Sequence, residues 1–275
     1  MKRYLLLFTV TLFAAAGTMA DAAPSGACSP GFDDTSLLSI LLGQGQDRFY
    51  NSEYEEAIMI FKAYTVLAPD DSVGFWREFL SEYFDVRYRS KNDTPKLMAS
   101  QYKAMKQTAL TAIDLADRDA AARPQRAGFD RYVKASTQSI LALVERSQAS
   151  NGEAIRMLRA AVSTARQSSC QEADFVIGSI NYEIGERAGP FRSMLWIAHI
   201  PHDRDGGWAE VLASAENNRS IFSDDIRFFI FDAEKNSQDP RQQDETRKLW
   251  RILFLKYPRN RNLVSWAARH EVPAR

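Results

Sequence analysis

The sequence predicts an all-α solenoid of stacked helical hairpins with degenerate repeats, and three observations predict it. From Asp34 onward, apolar residues recur at three- and four-residue spacing, the period of a helix face rather than of a strand. Nearly every Pro, Gly or Asn cluster falls where one such run gives way to the next. Thirteen Gly and 10 Pro in 275 residues leave little turn chemistry for an all-β sandwich.

Composition narrows the function classes. With 45% hydrophobic and 25% charged residues the chain can bury a real core. Lys plus Arg is 35 and Asp plus Glu is 35, so no basic excess recommends nucleic acid as a partner. Two cysteines exclude a disulfide-dense scaffold and a cysteine-built zinc module.

The elements follow in order. Residues 1–20 carry Lys2 and Arg3, an apolar run from Tyr4 to Ala16 and then small residues, the pattern of a cleaved secretory signal. Cleavage fits after Ala20 or Ala22. An uncleaved anchor is the lesser alternative, as is a lipoprotein, since Cys28 stands well beyond the apolar run. Residues 21–34 read as an unstructured leader and 35–275 as the solenoid. In an oxidising compartment Cys28 and Cys170 can pair; the other reading is a buried thiol at Cys170 and a second thiol in a loose tail. Helical runs are expected at 35–50, 53–67, 72–90, 95–117, 125–148, 152–168, 172–187, 190–200, 207–217, 223–235, 241–256 and 260–270. Thr94-Pro95 and Asp239-Pro240 each offer a cap followed by Pro in the first turn. Helices of this length must stack to bury their apolar stripes.

One segment is more specific. Gly45, Tyr54, Ala57, Phe61, Leu67 and Pro69 stand at the small, aromatic and proline positions of a tetratricopeptide repeat (TPR). Weaker echoes occur at Gly152–Leu158 and at Thr246–Asn260, without a constant period, which makes the solenoid TPR-like rather than regular. Together with Asn181-Tyr182-Glu183-Ile184-Gly185, Asp205-Gly206-Gly207-Trp208, Asp225-Ile226-Arg227-Phe228-Phe229 and Lys256-Tyr257-Pro258-Arg259-Asn260, the chain resembles the uncharacterised exported tetratricopeptide proteins of bacteria. The resemblance implies a helical scaffold that binds protein and carries no catalytic residues over.

Candidate chemistry is sparse. His199, His202, Asp203 and Asp205 are metal-ligand types, but Pro201 breaks the helix between the histidines, so they share no face. The reading preferred is that Asp203 or Asp205 caps a helix, with no metal and no cofactor. There is no nucleophile motif and no phosphate loop. The acidic pairs Glu55-Glu56, Asp70-Asp71 and Asp224-Asp225 sit at helix ends, where carboxylates complement the dipole. A helical cell-wall glycan hydrolase, or a carbohydrate-binding enzyme, is the rival reading.

Aromatic residues crowd the first hairpin and the helix after it. In repeats of this kind the first helix of each hairpin lines the concave surface. Counting from Gly45 places Leu42, Gln46, Phe49 and Tyr50 there, followed by Trp76, Leu80, Tyr83 and Arg87. Aromatic and Arg side chains are common anchors of a protein-binding groove. Residues 241–275 hold nine Lys and Arg against three Asp and Glu, a basic end able to dock on an anionic surface. The sequence therefore predicts an exported, periplasmic, non-catalytic adaptor that binds a protein or peptide of the cell envelope.

Overall fold

The computed structural model describes residues 36–90, 97–186, 200, 203–217, 222–237 and 239–270. Among these residues there are eleven helices and no strand. They are α1 (Leu37–Tyr50), α2 (Tyr54–Leu67), α3 (Ser72–Ser90), α4 (Ala99–Ala122), α5 (Ala127–Ser147) and α6 (Asn151–Ala165). Then follow α7 (Gln171–Glu186), α8 (Arg204–Asn217), α9 (Ser223–Glu234), α10 (Pro240–Lys256) and α11 (Arg261–Arg269).

Local chemistry sets the boundaries. The Ser36 hydroxyl accepts from the Ser39 N–H and opens α1. Asp239 accepts from the Arg241 N–H with Pro240 behind it, and Asn260 accepts from the Leu263 N–H. α8 starts three residues before the expected position, because the Asp203 carboxylate takes the Gly206 N–H at 3.1 Å and draws both glycines into the helix. α4 continues past residue 117 to Ala122, through the strong helix formers Ala120, Ala121 and Ala122. The signal at 1–20, the leader at 21–34, the Thr94-Pro95 opening and the 190–199 run lie outside the described residues.

Consecutive helices pack against one another, and α5 also touches α3 and α7 across the helices between them. α3, α5 and α7 thus form an inner layer. Close approach depends on small residues. A Cβ on Gly45 would lie 2.5 Å from the fully buried Phe61 ring, so only glycine lets α1 settle against α2. At the crossing of α7 and α8 a Cβ on Gly207 would stand 2.7 Å from the Gly178 carbonyl oxygen.

The solenoid closes on itself. Asn260, at the start of α11, donates its side-chain amide to the Tyr50 carbonyl at 2.6 Å, and the Arg259 N–H donates to Asn51 Oδ1 at 3.0 Å. Arg259 also pairs with Glu53 at 2.8 Å and with Asp47 at 3.3 Å. The Tyr50 ring stacks on Phe228 and tilts against Tyr257. Residues more than 200 positions apart in sequence thus seal the two ends of the helical array.

Candidate functional site

Closure turns the concave side into a cavity of about 1070 Å³. Its walls come from α1 (Phe49, Tyr50), α3 (Leu80, Tyr83, Phe84, Arg87, Tyr88), α5 (Tyr132, Ile140, Arg146), α7 (Phe175, Tyr182, Glu183) and α9 (Asp225, Phe228, Phe229, Asp232). The volume is slightly above the ~300–1,000 Å³ usual for small-ligand sites. Aromatic faces dominate: Phe49, Tyr54 and Phe84 pack edge-on or stacked within 6.3 Å, and Tyr182 tilts against Trp208. Burial pushes the Tyr54 phenol up to about 12, so it remains a hydrogen-bond donor at any ordinary pH.

One wall is held by a buried ion pair. Arg77, completely buried on α3, donates to Asp225 on α9 at 2.7 and 3.2 Å, and the Tyr50 hydroxyl donates to the same carboxylate at 2.8 Å. The guanidinium lies 4.2 Å from the Trp76 ring centroid and 4.6 Å from that of Phe222. Burial alone would lower the Arg77 pKa; the Asp225 carboxylate beside it outweighs burial and raises it. The neighbouring Asp224 accepts from Lys256, from Tyr257 at 2.6 Å and from Arg227 at 2.7 Å. Burial would raise its pKa, and these three bonds hold it below the ordinary carboxylate value. At the mouth, Asp232 bridges Arg87 and Lys235.

Five of the eight groove residues expected from the sequence line this cavity: Phe49, Tyr50, Leu80, Tyr83 and Arg87. Three do not. Leu42, Gln46 and Trp76 are buried in the packing behind the wall. Trp76 meets Tyr132 and Phe222 edge-on and donates its indole N–H to Ser136 at 3.2 Å. Phe49, Tyr50, Leu80 and Tyr83 are buried as well and border the hollow from within the core, whereas Leu42, Gln46 and Trp76 are spent on packing between helices. Sequence reasoning missed the opposite wall, Phe175, Tyr182, Phe228 and Phe229. Its signal was the aromatic clustering at 228–229, but only closure brings that segment to face α3.

Other candidates resolve plainly. Asp203 and Asp205 are exposed, Asp203 is the helix cap already described, and His199 and His202 lie outside the described residues. Among the described residues no group of three or more His, Cys, Asp or Glu could hold a metal ion. Of the acidic pairs, Glu55 and Glu56 are exposed in the first turn of α2, while Asp71 is buried under Arg126 at 3.0 Å. Cys170 is disulfide-bonded; Cys28, the other cysteine of the sequence, lies outside the described residues. No helix of the described residues is long and apolar enough to cross a membrane. Comparison with known protein families, curated proteins and solved structures yields no match.

Proposed function

We propose that the chain is an exported, non-catalytic scaffold, TPR-like in design, that holds a segment of a cell-envelope protein or a peptide in its central cavity. The supporting observation is the aromatic lining with charges of both signs, contributed mainly by α1, α3, α5, α7 and α9. Such a surface gives large apolar contacts from rigid rings and a few polar groups to fix orientation. Two of the three carboxylates that line the cavity are committed to ion pairs, Asp225 to Arg77 and Asp232 to Arg87 and Lys235, and Glu183 is the third. That favours binding over glycan hydrolysis.

Affinity capture from a cell-envelope extract with residues 21–275, set beside a glycan-hydrolysis assay, tests the reading. Arg87→Ala and Tyr88→Ala should each weaken capture of the recovered partner by about 1–2 kcal/mol, with a much smaller loss of stability than Trp76→Ala. Trp76→Ala should instead lower stability by about 3–5 kcal/mol, as a fully buried aromatic does. Capture that ignores both cavity substitutions, or hydrolysis of glycan abolished by Glu183→Gln, would replace the proposal with its rival.

A further inference from the structure

The basic C-terminal end presents more than charge. On α10, Arg251, Ile252 and Leu255 stand three, four and seven residues after Lys248, which places all four on one face. All four are exposed; Ile252 keeps 52% and Leu255 81% of its surface in solvent. The opposite face is fully used: Thr246, Trp250 and Leu253 are buried, and the Trp250 indole donates to the Leu263 carbonyl at 2.9 Å. The exposed stripe is therefore surplus to the fold.

Its cations are available as well. Arg247 is paired with Asp244 at 3.4 Å and Lys256 with Asp224, whereas Lys248 and Arg251 make no ion pair among the described residues. Interleaving two uncommitted cations with two large aliphatic side chains matches a surface that is anionic outside and apolar just beneath. A polyanion would reward the charges alone, and a second copy of this face would bring like charges together. We infer that this face of α10 docks the protein on an anionic lipid bilayer, the cations against headgroups and Ile252 and Leu255 among the upper acyl carbons. This surface is separate from the cavity, so it holds or fails independently of the proposed binding there.

Vesicle co-sedimentation of residues 21–275 tests it; the first 20 residues are omitted because their apolar run would bind lipid by itself. The protein should pellet with vesicles of phosphatidylcholine and phosphatidylglycerol, not with phosphatidylcholine alone, and should be released by high salt. Lys248→Glu and Arg251→Glu should each weaken binding by at least about five-fold, the effect of one cation near a charged membrane. Leu255→Gln and Ile252→Gln should each weaken it several-fold at constant salt, with little change in melting temperature because both side chains lie mostly in solvent. No binding to the anionic vesicles overturns the inference. So does vesicle binding that both glutamine variants retain and soluble polyphosphate displaces, which marks a plain polyanion site. Concentration-dependent dimers in the absence of vesicles, lost in Leu255→Gln, overturn it in favour of a second copy of the chain.

Discussion

Arg77 is the residue whose environment is least forgiving. Its guanidinium has no solvent exposure, and its charge is balanced by one carboxylate across the cavity wall. Removing one partner of such a pair leaves a buried charge uncompensated, whereas exchanging both for apolar side chains of similar size is close to neutral. Asp225→Ala should accordingly cost about 3–5 kcal/mol in urea denaturation, and the double variant Arg77→Met with Asp225→Leu should recover most of it. Equal losses in the single and double variants would mean that the pair's geometry, not its charge balance, supports the wall. No sequence pattern distinguishes Arg77 from any other Arg on a helix. Its partner stands 148 residues away, and only the tertiary arrangement joins them.

Among the elements, α1 carries an internal control. Gly45 and Gly43 lie on the same helix, but a Cβ on Gly45 would strike the buried Phe61 ring while one on Gly43 meets nothing within 4 Å. Gly45→Ala should destabilise by about 1–3 kcal/mol through overpacking. Gly43→Ala should stabilise by about 0.5–1 kcal/mol, the ordinary preference of a helix interior for alanine. Chemical denaturation of both variants gives the two signs, and a common sign would show that the α1–α2 contact is looser than described. Helix position was legible at this scale because periodicity and caps are local: Asp239-Pro240 opens α10 as the sequence predicts. The start of α8 was misread because Gly206-Gly207 looks like a breaker unless the Asp203 cap is already in place. For the cavity, Phe49, Tyr50, Leu80, Tyr83 and Arg87 could be found by counting along α1 and α3. The wall from α7 and α9 could not, since its membership depends on how far the whole array bends.

At the scale of the molecule, the contacts between Arg259, Asn260 and the α1–α2 turn decide the mechanical character of the protein. An open repeat array unravels from its ends, since a terminal hairpin has one neighbour and interior hairpins have two. Here the first hairpin has neighbours on both sides, α3 and the α10–α11 turn, so it has no privileged place to begin fraying. Amide exchange in α1 should be as slow as in α5, within about 1 kcal/mol of opening free energy, and urea should produce one transition. Asn260→Ala removes both a helix cap and the bond to Tyr50, and should speed exchange in α1 and α11 together while α5 changes less. Independent responses of α1 and α11 would show that the seal is incidental. Joining the ends also forbids the route by which repeat arrays ordinarily change size. An inserted hairpin would pry Asn260 from Tyr50, so the number of hairpins is fixed by the circumference that this contact closes.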